Sequence, residues 1–188
     1  MSNVTTPFVP FRLAGSDLAR KSVAVLIGVA ALTLASKIHV PMLPVPMTMQ
    51  TFAVAMVGAL CGARLGLATV MAWLALILAG LPFGSEAMAG PALFVGPTAG
   101  YLVSFPLMAA LMGWLAERGW TNNLVLSGVA MVLANVVCFA LGWAWLATLI
   151  GADKALALGV TPFLLGSVVK CALGVALVEA LRRAAKSA

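Results

Sequence analysis

Lys170 is the side chain whose position in the sequence most clearly points to ligand chemistry. It lies in the apolar stretch "VTPFLLGSVVKCALGVALVEAL", about ten residues or 15 Å from the start of the helix that this stretch predicts. A buried ammonium is costly unless an anion or water satisfies it. None of the chain's five acidic residues has an obvious claim to pair with it. We therefore interpret Lys170 as the partner of an anionic ligand. The alternative is a lysine that snorkels or faces a water-filled cleft.

Two further polar side chains lie inside apolar stretches. Ser167 precedes Lys170 by three residues, so a helix places both side chains on one face. A serine alone is a weak indication, because its hydroxyl often binds a backbone carbonyl of its own helix. Asn135 lies near the centre of another apolar stretch. An amide at that depth is either a contact between helices or a ligand contact, and the sequence leaves both roles open.

The segment "HVPMLPVPMTMQTF" (39–52) joins the first two apolar stretches. Its three prolines forbid a regular helix, and Thr48 and Gln50 then supply a hydroxyl and an amide. Proline lowers the entropy that a segment loses when it closes over a ligand. We predict a pre-shaped lid, with Thr48 and Gln50 at the rim or floor of a pocket. The alternative is a stiff connector with capping hydroxyls.

The sequence lacks the patterns of common catalytic and metal sites. It has no P-loop, no G-x-G-x-x-G and no H-E-x-x-H, and its only histidine is His39. The three cysteines lie in separate apolar stretches without a C-x-x-C, which excludes a disulfide framework and a zinc site as sensible interpretations. We predict no enzyme, no resident metal and no cofactor. An ion-coupled carrier would need an intramembrane carboxylate, and none lies at mid-span.

The elements that position these groups are predicted to be membrane helices. The chain has 188 residues, of which 63% are hydrophobic and 9% charged, too few polar groups to cover a soluble domain. The apolar blocks approach the ~20 residues that a helix needs to cross a bilayer. We predict an all-α membrane protein with six spans at about 22–38, 50–63, 66–81, 100–116, 124–149 and 160–181. The break at "CGARLG" (61–66) keeps Arg64 out of the middle of a single long helix.

The basic residues set the predicted orientation. With six spans, eight of them lie on the side of both termini, and only Lys37 and Lys154 lie on the other. Because cytoplasmic segments carry the excess of Lys and Arg, we predict both termini in the cytoplasm. Residues 1–21, including Arg12, form an N-terminal segment, 22–181 a single transmembrane domain, and 182–188 a basic tail. Topology then explains the net charge of +6 without nucleic acid.

A stripe of small residues follows the first predicted helix. Its members fall at helical spacing and are Ala24, Gly28, Ala31 and Ala35. Such a stripe lets a second helix approach closely. It serves either packing within the bundle or docking to a separate membrane protein.

Four motifs, in order, resemble those of the BioY family, the biotin-binding S components of energy-coupling factor (ECF) transporters. They are "VPMLPVPMTMQTFAVAMVGALCGARLG" (40–66), "GLPFG" (80–84), "GPTAGYLVSFP" (96–106) and "GVTPFLLGSVVK" (159–170). The resemblance covers roughly residues 20–181 and implies a six-helix bundle that spans the cytoplasmic membrane. Such a bundle captures biotin from outside and is energised by a transmembrane coupling protein and ATP-binding cassette ATPases.

The resemblance also implies roles for particular residues. Lys170 corresponds to a lysine of the family's last helix that suits the biotin carboxylate, and Ala31 and Ala35 match an A-x-x-x-A docking face. Where the family usually has Asp, three residues before the lysine, this chain has Ser167. The expected ligand-binding residues are Lys170, Ser167, Asn135, Tyr101, Gln50, Thr48, Pro44 and Pro46. The alternatives are an S component for another small vitamin and a stand-alone biotin carrier.

Overall fold

The structure is a computed structural model that describes Phe8, Pro10, residues 18–85 and residues 90–187. Most of the predicted segment 1–21, including Arg12, lies outside the described residues. The helices within them are α1 (Leu18–Lys37), α2 (Gln50–Leu78), α3 (Ala99–Glu117), α4 (Leu124–Ile150), α5 (Ala152–Gly159) and α6 (Phe163–Ser187). Two short strands, β1 (His39–Val40) and β2 (Met47–Thr48), pair antiparallel between α1 and α2. Single 3-10 turns cover Pro91–Phe94 and Trp120–Asn122.

Helix α2 reverses direction at Gly62, inside the predicted break. Gly62 has φ 80° and ψ 176°, a backbone conformation that is essentially restricted to glycine. A Cβ placed on Gly66 would lie 3.1 Å from the Cα of Gly58. In a continuous helix, residues eight positions apart are separated by about 12 Å. Residues 50–61 and 63–78 therefore form two antiparallel arms, here called the first and second arms of α2.

The turn between the two arms is held by α3. The Ala63 N–H, the first of the second arm, donates a hydrogen bond of 3.2 Å to Glu117 Oε1. A carboxylate at this position satisfies a free N–H and complements the positive end of the helix dipole. A Cβ on Gly113 of α3 would collide with the backbone of Gly62 and Ala63. The turn therefore depends on a glycine in each of two elements and on one acidic side chain.

Within the described residues, five helices are long and apolar enough to cross a membrane, namely α1, α2, α3, α4 and α6. The prediction of an all-helical, multi-pass architecture is confirmed. The predicted count of six is not confirmed. The predicted spans 50–63 and 66–81 fall on the two arms of α2, which is one of the five helices.

The core lies where α3 packs against both arms of α2. Trp73, Met108 and Met112 are completely buried there, and the Trp73 ring stacks on Phe105 with 6.3 Å between centroids. Many apolar side chains of α4 and α6 are exposed instead, as expected for surfaces that face lipid.

The connection between the predicted spans 124–149 and 160–181 is largely helical. Gly151, with φ 87°, ends α4, and α5 follows immediately. The sequence "ADKALALG" is rich in alanine and leucine, which are strong helix formers. The helix brings Gly159 and the start of α6 close to α3, next to the site described below.

Candidate functional site

A cavity opens between the β2–α2 junction, α3, α4 and the first half of α6. Its cavity volume is about 50 Å³, below the range of roughly 300–1,000 Å³ that is usual for small-molecule sites, so its walls must move apart to admit a ligand of that kind. The lining residues are Val45, Pro46, Thr48, Gln50, Thr51, Ser85, Leu93, Thr98, Tyr101, Leu102, Phe105, Cys138, Phe139, Phe163, Ser167 and Lys170. The structure thus brings together six of the eight ligand-binding residues expected from the sequence.

Lys170 reaches the cavity from α6. Because α6 begins at Phe163, Lys170 lies seven residues or about 10 Å from its start, less deep than the sequence predicted. Its ammonium donates a 2.6 Å hydrogen bond to the backbone carbonyl of Thr48 and lies 3.4 Å from Thr51 Oγ1. Among the described residues no carboxylate pairs with it. An ammonium has three N–H donors, so it keeps capacity for an anionic ligand.

Thr48 and Gln50 form a small hydrogen-bonded unit where the lid segment enters α2. The Thr48 hydroxyl donates to Gln50 Oε1 over 2.8 Å, and the Gln50 backbone N–H lies 3.2 Å from Thr48 Oγ1. With its carbonyl oxygen occupied, the buried Gln50 amide has its NH₂ group left to offer to a ligand.

Ser167 lines the cavity on the same helix face as Lys170. Its hydroxyl donates to the Leu164 carbonyl over 2.8 Å, the local hydrogen bond that serines often make in membrane helices. The oxygen can still accept a hydrogen bond from a ligand. The cavity therefore presents one cation, several hydroxyls and one amide.

The Tyr101 ring lines the cavity, whereas its hydroxyl stabilises the fold. The hydroxyl donates a 2.6 Å hydrogen bond to the carbonyl of Gly159, at the end of α5. A Cβ on Gly142 of α4 would collide with the Tyr101 ring, so this glycine makes room for it.

We expect Tyr101→Phe to lower the free energy of unfolding by about 1 kcal/mol, because the buried carbonyl of Gly159 loses its donor. Ligand affinity should change less than about threefold, since the ring remains in place. Thermal unfolding in detergent, with and without ligand, measures both quantities. A large loss of affinity at unchanged stability would contradict the structural role of the hydroxyl.

Pro44 and Asn135 do not line this cavity. Pro44 lines a neighbouring outer cavity, which lies between the lid segment and residues 92–98 and shares Pro46, Ser85, Leu93 and Thr98 with the first. Asn135 is buried, and its Nδ2 lies 2.9 Å from the Met131 carbonyl and 3.4 Å from Cys171 Sγ. The structure thus places Asn135 at a contact between α4 and α6, at the residue that follows Lys170.

Most of the apolar wall of the cavity and several of its hydroxyls were not predicted from the sequence. Phe105, Phe139 and Phe163 supply aromatic surface, and Thr51, Ser85 and Thr98 supply further hydroxyls. The phenylalanines carry no local signal, because they lie in largely apolar helices. Thr51 directly follows Gln50 and could have been inferred from the lid segment.

The small-residue stripe of α1 is largely used within the bundle. Ala24, Gly28 and Ala35 are buried, and a Cβ on Gly28 would lie 2.5 Å from the Thr69 methyl group of the second arm. Ala31 is exposed. All four nevertheless line an open apolar groove between α1, the first arm of α2 and Leu177 of α6.

A family model described as the BioY family matches residues 4–187. The chain belongs to the BioY family. The resemblance seen in its motifs is thereby confirmed, and with it the prediction that the chain is a transport component and not an enzyme.

Relatives in the BioY family cover most of the chain. A probable biotin transporter BioY of Pyrococcus horikoshii is 33% identical over 154 residues, which cover 82% of this chain and 91% of the relative. A biotin transporter BioY of Rhizobium etli is 35% identical over 162 residues, which cover 81% of this chain and 86% of the relative.

A solved structure supports the fold of this BioY chain. The crystal structure of the S-component for biotin from an ECF-type ABC transporter superimposes with a TM-score of 0.77 at 24% identity. The match covers 90% of this chain and 95% of that one.

Proposed function

We propose that this BioY protein is a high-affinity biotin-binding S component, which takes up biotin across the cytoplasmic membrane with energy from partner subunits. The observation that carries the proposal is the cavity at Lys170. A cation without a carboxylate partner among the described residues lies beside an amide, hydroxyls and aromatic walls. Biotin offers the complementary groups: a carboxylate, a ureido ring with donors and acceptors, and an apolar thiophane ring.

In this proposal the cavity residues contact different groups of biotin. Lys170 binds the carboxylate, Gln50, Thr48 and Ser167 offer hydrogen bonds to polar groups, and the Tyr101 ring packs on the apolar portion. Pro46 and Pro44 stiffen the lid segment, and Pro44 does so from the outer cavity. Asn135 acts indirectly by fixing α4 against α6 at Cys171, next to Lys170.

The proposed membrane topology has six crossings with both termini in the cytoplasm. The reversal at Gly62 supports it, because two antiparallel arms that each cross the membrane restore an even number of spans. Arg64 then lies beside the turn at the cytoplasmic surface, as the distribution of basic residues requires. Residues 150–159, with α5, and the lid segment face outward.

The proposed partners are an ECF transmembrane coupling protein and ATP-binding cassette ATPases. The α1 groove supports a docking role, since it is open, apolar and lined by Ala24, Gly28, Ala31 and Ala35. Ala31 is the exposed member of the stripe, so a partner helix reaches it first.

Direct binding of radiolabelled biotin to the purified protein in detergent tests the proposal. We expect saturable binding that unlabelled biotin displaces and that other small vitamins do not displace at a hundredfold excess. The Ser167 position favours one second candidate, an S component for a different vitamin, because a neutral hydroxyl replaces the acidic group that the family resemblance leads us to expect. Displacement by another vitamin at lower concentration than biotin would establish that candidate instead.

A further inference from the structure

Ser85 lies in the wall of the ligand cavity, in the connection between α2 and α3. The residue is 9% exposed and lines both the ligand cavity and the outer cavity. Among the described residues its hydroxyl has no hydrogen-bond partner, and its oxygen is not fully shielded from solvent. An accessible hydroxyl in a cavity wall, without a partner from the described part of the chain, is therefore available to a ligand.

The backbone that leads to Ser85 is fixed by the last two residues of α1. Lys37 Nζ donates hydrogen bonds of 2.8 Å to the carbonyl oxygens of both Pro82 and Gly84. The Ser36 hydroxyl, which is completely buried, lies 2.9 Å from the carbonyl oxygen of Phe83 and 2.7 Å from that of Thr33, so the two carbonyls share its single proton. Three successive carbonyls thus converge on the end of one helix. We call this arrangement of Ser36, Lys37 and the carbonyls of 82–84 the carbonyl clasp.

The chemistry of the carbonyl clasp explains its stability. An ammonium carries three donors, so Lys37 can bind two carbonyls at once without distortion. The C-terminal end of α1 and the three carbonyls all carry partial negative charge, which the ammonium neutralises. Without these hydrogen bonds the backbone at Gly84 could rotate, because glycine allows many backbone conformations. The carbonyl clasp removes that freedom one residue before Ser85. It also gives a function to Lys37, one of only two basic residues that the predicted topology places outside.

We propose that Ser85 is a ligand-contacting, specificity-determining residue of the biotin site, and that Lys37 is the positioning residue that holds it there through the carbonyl clasp. This inference rests on the proposed function. A hydroxyl both donates and accepts, so it suits the ureido group of biotin, which also does both. Lys170 takes the carboxylate at the other end of the ligand.

Equilibrium binding of tritiated biotin to Ser85→Ala tests the contact. We expect the dissociation constant to rise about 3- to 10-fold, as for the loss of one hydrogen bond, with an unchanged melting temperature of the ligand-free protein. The same factor is expected for biotin methyl ester, because the ester alters only the carboxylate end. Ser127→Ala is the control, since Ser127 Oγ also lacks a hydrogen-bond partner but is fully buried and lies outside the cavity. It should leave the affinity unchanged.

The results separate this inference from the proposed function. If the unaltered protein binds biotin tightly and Ser85→Ala binds it equally well, Ser85 has no contact and the inference is wrong. If the unaltered protein does not bind biotin, the proposed function fails and the inference falls with it. If Ser85→Ala weakens the binding of biotin but not that of biotin methyl ester, the assignment of Ser85 to the ureido group is wrong.

Lys37→Met tests the positioning role. We expect biotin to dissociate about 3- to 10-fold faster, since Ser85 loses its fixed place. Lys37→Arg should dissociate biotin almost as slowly as the unaltered protein. Lys154→Met, at an exposed lysine of α5, should leave the dissociation rate unchanged. In the Lys37→Met background, Ser85→Ala should add less than about twofold, because both changes remove one function. Fully additive losses would exclude Lys37 as a positioning residue for Ser85.

Discussion

Lys170→Met is expected to weaken biotin binding about 30- to 700-fold, which corresponds to about 2–4 kcal/mol for a buried charge pair that loses one partner. Methionine keeps the length and apolar stem of lysine, so the packing of α6 is preserved. The loss should appear mainly as faster dissociation, since both molecules still meet through the same cavity mouth. Radiolabelled biotin binding at equilibrium, followed by a chase with unlabelled biotin, measures both quantities.

A second ligand distinguishes the two roles that Lys170 can have. Its ammonium contacts the Thr48 carbonyl, so its removal could act by loosening the lid segment rather than by losing the carboxylate. Biotin methyl ester has no negative charge. If Lys170 binds the carboxylate, the unaltered protein and Lys170→Met should bind the ester with nearly equal affinity. An equal loss for biotin and its ester would assign Lys170 to the lid alone.

Gly62→Ala is expected to lower the free energy of unfolding by about 2–4 kcal/mol. Its backbone conformation is essentially restricted to glycine and costs any other residue about 1–3 kcal/mol. The added Cβ would also collide with Glu117 Oε1, the acceptor of the Ala63 N–H, and the loss of that hydrogen bond adds about 1 kcal/mol. Thermal unfolding in detergent, monitored by tryptophan fluorescence, gives the shift.

Gly80→Ala is the matched control for the turn. Gly80 also has a positive φ, of 97°, but no atom lies within 4 Å of the position that its Cβ would take. An alanine at position 80 is strained in its backbone but collides with no other atom. The difference in the free energy of unfolding between the two variants therefore measures the contact with Glu117. If both variants unfold at the same temperature, Glu117 does not support the turn.

The reversal of α2 shows how much a sequence can reveal about a membrane fold. Gly62, Arg64 and Gly66 predicted a break, because an arginine at mid-membrane is costly and glycine permits a sharp turn. The sequence could not show how tight the turn is. That depends on Gly113 and Glu117, which lie about fifty residues further along the chain and leave room for the turn only in the folded bundle.

The candidate site was predictable where charge or proline marked it. Lys170 and the lid segment stand out from their apolar surroundings, and the structure brings them into contact. Asn135 was harder to place, because α4 is apolar on nearly all sides and its sequence does not indicate which face is turned inward. Ser85 gave no signal at all. Its position in the cavity wall depends on hydrogen bonds from Ser36 and Lys37, which no local pattern reveals.

Lys170 donates a hydrogen bond to a main-chain atom, and this has an evolutionary consequence. Every amino acid at position 48 brings the same carbonyl oxygen to the ammonium, provided that β2 keeps its pairing with β1. Mutation can therefore replace the side chains of this strand without removing the hydrogen-bond acceptor of Lys170. Point changes in the lid segment preserve the contact, whereas insertions or deletions that shift the strand would abolish it.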